Sequence, residues 1–286
     1  MTDILIGAAD RYDWPDVRPW VKSIKESGFT GDVWLICYRV TDLLKQKCEA
    51  HGVNLYEVAH TPYGTAIEHD VPGSPTVAHN YRFYHAWELL TRLEIDYGVV
   101  IMTDTSDVVF QKNPSKFIQS QGALFSSQLL AGSEGIQYKN EEWGKNNLIA
   151  GFGSLPYELE NRGEWIIYNV GTLAGRRSCM LPLFYEIFSM TEGRYYPSDQ
   201  SSFNVLLNGT LRYQYTRGTH NTTPWAAQCG TVLDPTKSWL WEKLIEAQPQ
   251  IINNKVLNGY NQEFCIVHQW NRVPELKAYY TQKYAD

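Results

Sequence analysis

Along the first hundred positions the apolar residues alternate between short unbroken runs and runs spaced three and four apart. The short runs, at residues 4–9, 32–38, 53–58 and 98–103, have the length and apolar character of strands buried on both faces. Between them, residues 15–27, 41–51 and 80–93 read as helices. In the first of these, Val17, Trp20, Val21 and Ile24 recur at helical spacing, with Pro15 near the start and Gly28 at the close. Thr41 is the expected N-cap of the second, and Tyr84, Trp87, Leu90 and Thr91 share one side of the third. Strand and helix in alternation predict a parallel sheet with crossover helices, the form of a nucleotide-binding α/β half.

Beyond Lys112 the pattern loosens into α+β. A strand is expected at 123–127, a polar helical stretch at 139–148, a strand at 165–173, helices near 179–191 and 199–207, and a short apolar strand ending at His268. Residues 60–75, rich in Pro, Gly and Thr, read as a long loop bordering a ligand pocket. No repeat, low-complexity tract or linker interrupts the 286 residues, and 43% hydrophobic content suffices for one substantial core. The expectation is one α/β domain over 1–286, with halves at 1–115 and 116–286.

Charge narrows the class of partner. With 20% charged residues and a formal net charge of -6, the chain lacks the cationic surplus that phosphate backbones demand, so no nucleic acid is expected. A local basic pocket for a diphosphate is compatible with that balance. Aromatics reach 14%, including 10 Trp and 19 Tyr, which suits either stacking on sugars and bases or an aromatic core. The five cysteines, at 37, 48, 179, 229 and 265, form no C-x-x-C pair and indicate neither zinc nor a disulfide framework. Met1-Thr-Asp-Ile-Leu-Ile-Gly enters a strand directly without the features of a signal peptide, and no apolar run approaches the ~20 residues of a membrane span. Asn208-Gly-Thr and Asn221-Thr-Thr match the glycosylation acceptor pattern and are read as incidental, the expected setting being cytoplasmic or otherwise soluble.

The strongest chemical signal follows the fourth apolar strand, in Val99-Val-Ile-Met-Thr-Asp104-Thr-Ser-Asp107-Val-Val-Phe-Gln111. In open α/β sheets the ligand crevice lies at the carboxyl ends of the strands, and two carboxylates stand there. Such a pair repels itself unless a divalent cation bridges it to a substrate diphosphate, and oxygen ligands suit Mn²⁺ or Mg²⁺. An arbitrary D-x-x-D more often caps a turn with its second acid in solvent. Its place between two apolar runs weighs against that reading here.

This segment resembles the acidic D-x-D motif of GT-A glycosyltransferases, in a D-x-x-D-V-V-F-Q variant that is also similar to small transferases of large algal DNA viruses. The resemblance implies a GT-A fold: a Rossmann-like, mainly parallel central sheet flanked by helices, its first half binding a nucleotide sugar and its second an acceptor. Asp107 is then the second acid of the motif and a metal ligand, while Asp104 reaches the ribose, or the metal directly or through water. Asn80-Tyr-Arg82-Phe-Tyr resembles the helix of glycogenin-like transferases whose arginine faces the donor, which implies that Arg82 neutralises phosphate or braces the acidic turn. Ile167-Tyr-Asn169-Val-Gly171-Thr-Leu resembles their N-x-G segment, placing Asn169 and Gly171 at the sugar, although a strand glycine also reads as a bulge or close packing. Tyr196-Pro-Ser-Asp199-Gln200-Ser-Ser-Phe-Asn204 resembles their D-Q-x-x-x-N helix start, with Asp199 also reading as an N-cap. In Phe264-Cys-Ile-Val-His268-Gln-Trp, the resemblance makes His268 the third metal ligand. Ala8 and Ala9, ending the first strand, are expected beside the nucleotide. The family's Lys-Pro-Trp is absent; Asn271-Arg272-Val-Pro occupies that stretch and puts Arg272 forward as a replacement at the diphosphate.

The reaction thus implied moves a hexosyl or pentosyl group from a nucleoside-diphosphate sugar, a UDP-sugar foremost, to a glycan or other hydroxyl acceptor. Asp199 would stand at the reacting carbon, as general base in an inverting enzyme or, with Gln200, as an orienting pair in a retaining one. The D-Q pair leans towards retention and the viral likeness towards inversion. A nucleotidyltransferase or other sugar-nucleotide enzyme is a rival, disfavoured because Gly7-Ala-Ala-Asp10-Arg11 carries a single glycine where a Gly-rich basic loop is usual. A non-catalytic carbohydrate-binding protein is another. Nicotinamide oxidoreduction is disfavoured by the lack of G-x-G-x-x-G after any expected strand.

Overall fold

The computed structural model describes residues 2–64, 77–121, 129–192, 198–209 and 223–286. At its centre β1 (Ile4–Asp10) pairs in parallel with β2 (Asp32–Tyr38) on one side and β4 (Val99–Thr103) on the other, and β3 (Asn54–Glu57) extends the parallel set beyond β2. The crossover helices are α1 (Trp14–Glu26), α2 (Asp42–Ala50) and α3 (Val77–Arg92). α1 begins on a capping box in which Asp13 and Asp16 satisfy each other's backbone N–H groups, and Thr41 caps α2 as its sequence predicts. Val17, Trp20, Val21 and Ile24 of α1 are all buried, each aliphatic member contributing about 1.5–3 kcal/mol relative to exposure. The indole N–H of Trp20 is satisfied by Thr103 Oγ1 at 2.8 Å, which ties the helix to the end of β4.

The sheet continues with β7 (Ile166–Arg176), antiparallel to β4, and β6 (Leu129–Gln137), antiparallel to β7, giving the order β3-β2-β1-β4-β7-β6. It is therefore mainly parallel with one reversed strand. Because successive side chains of β1 alternate, Ile4, Ile6 and Ala8 face α3 and α7 (Arg177–Thr191), where Phe83, Leu90, Leu183 and Phe184 are buried. Leu5 and Ala9 face α1 on the opposite side. The buried apolar positions of α3 are Phe83, Ala86, Leu89 and Leu90, whereas Tyr84 and Trp87 are only partly buried and Thr91 is exposed. Tyr84 and Trp87 instead join partly buried rings running along α3 and α7.

A second, smaller sheet joins β5 (Val108–Phe110), β11 (Ile266–His268) and β8 (Ala226–Gln228). In it His268 lies opposite Val108 on one side and Gln228 on the other. β4 ends at Thr103 and β5 begins at Val108, so residues 104–107 are the corner at which the chain leaves the large sheet for the small one. α4 (Pro114–Ser120), α5 (Glu142–Phe152), α6 (Ser154–Leu159), α8 (Asp199–Asn208) and the short α9 (Cys229–Val232) surround these sheets. A β9 (Gln250–Ile252) and β10 (Lys255–Leu257) hairpin and α10 (Pro274–Lys283) complete the order.

The strand expected at 123–127 lies outside the described residues, as do 65–75 of the expected loop. β6 was not foreseen: Leu129-Leu-Ala-Gly-Ser-Glu-Gly-Ile-Gln holds two glycines and a glutamate, a loop-like composition, yet eight of its nine residues are buried. The helical stretch expected at 139–148 divides into a 3-10 turn at Tyr138–Asn140 and then α5. All five cysteines are free thiols, four of them buried. Among the described residues no helix is long and apolar enough to cross a membrane.

Candidate active site

The corner between the two sheets is fixed residue by residue. Asp104 N donates to Gly171 O at 2.9 Å, Thr105 Oγ1 to Ala8 O at 2.9 Å, and Ser106 Oγ to Tyr12 OH at 3.2 Å. Gln269 N donates to Asp107 O at 2.7 Å. The turn is thereby anchored to β7, β1, the segment after β1, and the residue following β11. With its backbone held, its two half-buried carboxylates meet buried His268, whose Nε2 lies 3.2 Å from Asp104 Oδ2 and 3.4 Å from Asp107 Oδ1. One ligand atom from each of the three lies within 4.8 Å of the others. Two carboxylate oxygens and an imidazole nitrogen are a donor set that could hold a metal ion.

The histidine is oriented from behind. Its Nδ1 is 2.6 Å from Gln228 Oε1, and Gln228 Nε2 in turn donates to Thr172 Oγ1 at 2.9 Å. An amide oxygen can only accept, so Nδ1 carries the proton and Nε2 faces the acids. Burial alone would depress the histidine pKa, but the carboxylates of Asp107 and Asp104 outweigh it and raise it to about 10. The two acids thus favour the protonated ring.

Arg82, buried on α3, spans two acids. Nη1 bonds Asp104 Oδ1, and Nη2 lies 3.0 Å from Asp199 Oδ2. The bond to Asp104 is the contact that a brace on the acidic turn requires. Burial would discourage charge on both partners, yet the guanidinium, with His268, holds Asp104 well below the usual carboxylate range, and the two acids push the Arg82 pKa up. Asp199 does not cap α8. It is the first helical residue, Ser198 occupies the cap without a side-chain hydrogen bond, and Asp199 Oδ1 accepts from Gln200 N at 2.9 Å. Its carboxylate is turned instead towards Arg82.

Gly171 is placed by close approach. A Cβ there would stand 2.4 Å from Asp104 Oδ2 and 2.8 Å from His268 Cε1, so any side chain would displace the cluster. Asn169 Oδ1 accepts from Gly171 N at 2.8 Å, while Asn169 Nδ2 and Gln200 Nε2 both donate to Glu134 Oε1, at 3.0 and 3.2 Å.

Two cavities flank these residues. The first, of about 220 Å³, is lined by Ala8, Asp10, Tyr12, His79, Arg82 and the acidic turn. The second, of about 310 Å³, is lined by Glu134, Trp143, Asn169, Gln200, Thr231 and Arg272, among others. Of the residues singled out from sequence, Arg82, Asp104, Asp107, Asp199, Gly171 and His268 converge, and Asn169 and Gln200 stand on the second cavity. Ala8 lines the first cavity, but the Ala9 side chain is buried in the core on the other face of β1. Arg272 opens on the second cavity. Sequence reasoning passed over Glu134, Gln228 and the Asp10–Arg39 pair, in which Arg39 Nε donates to Asp10 Oδ1 at 2.8 Å and Nη2 bonds Oδ2. Asp10 could have been found, because it ends a parallel strand beside the one that carries the acidic turn. Gln228 sits in a strand of three residues and carries no such signal.

The chain superposes over nearly its whole length on solved glycosyltransferases. For the galactosyltransferase LgtC in complex with donor and acceptor sugar analogues the TM-score is 0.55 at 11% identity, covering 98% of this chain and 93% of that one. An active-site mutant of LgtC gives 0.51 at 13% identity over the same shares, 98% and 93%. The bifunctional glycosyltransferase WbbM in its apo form gives 0.54 at 13% identity, covering 100% of this chain and 50% of that one. No protein-family model and no curated protein matches the chain. The fold is that of the GT-A glycosyltransferases.

Proposed function

We propose that this protein transfers a sugar from a nucleoside-diphosphate donor, a UDP-sugar foremost, to a hydroxyl acceptor such as a glycan, with Mn²⁺ or Mg²⁺ held by Asp104, Asp107 and His268. The observation that carries the reading is the gathering of two carboxylates and an imidazole at the carboxyl end of β4, braced by Arg82, with both acids lining the first cavity. A bound divalent cation would supply Lewis-acid stabilisation of the leaving diphosphate. The rest falls to the chain's own groups. The first cavity takes the nucleotide along Ala8, Asp10 and Tyr12. Arg82 fixes Asp104 and adds positive potential near the phosphates, a preorganised charge of the kind that outweighs most other catalytic effects. Asp199 and Gln200 bear on the sugar. Because Asp199 is engaged by Arg82 and by the Gln200 N–H, its part is to orient the sugar and stabilise positive charge developing at the reacting carbon.

The test is release of nucleoside diphosphate from a panel of nucleotide sugars with Mn²⁺ present. Turnover that depends on the metal and drops on the order of 10²- to 10³-fold in Asp107→Ala supports the reading. Turnover undiminished in that variant would overturn the metal site, and release of sugar 1-phosphate with a nucleoside monophosphate in place of the diphosphate would favour chemistry at phosphorus, as in nucleotidyl transfer.

A further inference from the structure

The second cavity owes its chemistry to an irregularity in β6. Pairing with β7 runs to Ser133 opposite Tyr168 and resumes at Gln137 opposite Ile166, so residues 134–136 face Ile167 alone. Bulges of this kind re-aim side chains next to sites. Gly135 takes the positive φ of 65° required inside the bulge, and its N–H bonds back to Ser133 Oγ at 2.9 Å. The result sets a glutamate, Glu134, in the wall of the cavity with 6% of its surface exposed.

Glu134 is nearly but not wholly satisfied. Oε1 takes the amides of Asn169 and Gln200, and Oε2 takes Thr231 Oγ1 at 2.8 Å. A carboxylate offers about four acceptor positions, which leaves one on Oε2. Among the described residues no lysine or arginine forms an ion pair with Glu134; Lys237, also on the cavity, is 3.7 Å from Glu141 instead. Burial first, and then the Glu141 carboxylate, raise the Glu134 pKa. Asp234 adds further negative charge, and Arg272 is exposed. At the same cavity Trp143 is 58% exposed, a large indole with no structural reason to face water.

We infer that this cavity is the acceptor subsite and that it selects an uncharged sugar, whose ring lies on Trp143 and one of whose hydroxyls donates to Glu134. The inference rests on the glycosyl-transfer reading and names the acceptor class within it. An indole face and a pyranose face match because both present apolar C–H or π surface between polar edges. A hydroxyl fills the open position on Oε2. A uronate or phosphate would set another anion beside Glu134, Glu141 and Asp234, three carboxylates that Lys237 and Arg272 do not balance, where low dielectric strengthens repulsion. Asn169 links this selection to the donor side, since the same amide that donates to Glu134 accepts from Gly171, the residue packed on Asp104.

The experiment has a binding arm and a transfer arm. Ligand-observed saturation-transfer NMR on the whole protein is run with the methyl glycosides of glucose, galactose and mannose and with those of glucuronic and galacturonic acid. At least one neutral glycoside is expected to bind about tenfold or more tightly than its uronate. Trp143→Ala, a change at an exposed residue, is expected to weaken the neutral ligand about two- to tenfold. Glu134→Gln keeps the shape and is expected to weaken it about ten- to hundredfold and to narrow the preference over the uronate. Binding of uronates as tight as of neutral sugars, or a preference unmoved by Glu134→Gln, would overturn the inference. The transfer arm separates the two readings: glycoside binding as described without hydrolysis of any nucleotide sugar defeats glycosyl transfer and leaves a selective sugar site, whereas metal-dependent donor hydrolysis without neutral-sugar preference defeats only the acceptor assignment.

Discussion

The cavity lined by the acidic turn and the cavity lined by Asn169 and Gln200 are assembled in opposite ways. The first is walled by the ends of neighbouring elements of one parallel sheet: Ala8 to Tyr12 after β1, Arg82 on the helix that leads into β4, and the turn after β4. Strand polarity alone brings those ends together. The second draws on a bulge in β6, the start of α8, the short α9 and the residues after β11, segments that only the completed tertiary structure brings together. The difference teaches which part of the site is fixed by topology and which by local irregularity. Only the first kind of wall is implied by an order of strands and helices.

Arg82 lines the first cavity, reaches the head of α8, whose Gln200 lines the second, and gives the largest expected effect. It joins Asp104 at the first cavity to Asp199 at the head of α8, with all three side chains largely withdrawn from solvent. Arg82→Met would leave Asp199 without its cation and Asp104 with His268 alone, and removing one partner of such a buried pair costs about 3–5 kcal/mol. Chemical denaturation should report a loss of that order, and nucleotide-sugar turnover should fall with it even where the protein is folded. An unchanged denaturation midpoint would mean that Asp104 and Asp199 find another partner.

Gly171→Ala tests the partition between the cavities. The added methyl must move Asp104 or His268, because the space it needs is already filled. Overpacking of this kind costs about 1–3 kcal/mol of stability, and a displacement of about 1 Å at a reacting centre can cost on the order of 10²-fold in rate. Stability and turnover measured together should both decline, with the fall in turnover the larger factor. Full activity in this variant would show that the close packing on the cluster has no catalytic consequence.

The sequence revealed the topology-determined wall almost completely. β1, α1, β2, α2, β3 and β4 fall within a few residues of their apolar patterns, and Asp104, Asp107 and Arg82 meet where the parallel order implies. Two signals beyond that order also have a place in the structure: the apolar run before His268, which is β11, and the glycine at 171, which packs closely against Asp104 and His268. What was not legible has a physical cause in each case. Glu134 sits in a strand whose glycines and central acid resemble a loop, since its pattern serves a bulge and not a period of two. Asp199 looks like a cap because a carboxylate at a helix start ordinarily bonds its own backbone, and nothing in the local sequence announces that Arg82, 117 residues away, turns it outward. Gln228 acts only through His268, and its strand of three residues is too short to show a period.

That partnership gives the next prediction. Gln228 supplies the acceptor that fixes the His268 ring, and loss of such an outer partner typically weakens metal binding about 10- to 100-fold. Gln228→Ala should raise the Mn²⁺ dissociation constant by that factor, whereas Gln228→Glu, which restores an acceptor, should recover most of it. Equal affinity in the alanine variant would indicate that the ring is held by packing alone.

The last effect is one of pH, and it separates the metal-free cluster from the metal-bound one. The His268 pKa in the folded metal-free protein is raised to about 10 from an ordinary 6.5, because the carboxylates of Asp107 and Asp104 overcome the opposing effect of burial. A raised pKa means the folded state holds this proton more tightly than the unfolded chain does. Its contribution to stability is therefore fully present below about pH 6.5 and is lost as pH rises towards 10. Thermal unfolding of the metal-free protein should show a midpoint that declines across this window, and His268→Gln should flatten that decline. Mn²⁺ competes with the same proton for Nε2, so binding between these limits should release close to one proton, and apparent affinity should rise about tenfold per pH unit. Calorimetric titration in two buffers of different ionisation enthalpy measures the proton count directly. A count near zero at pH 8 would remove His268 from the metal's ligands and leave the two carboxylates of the turn to bind it alone.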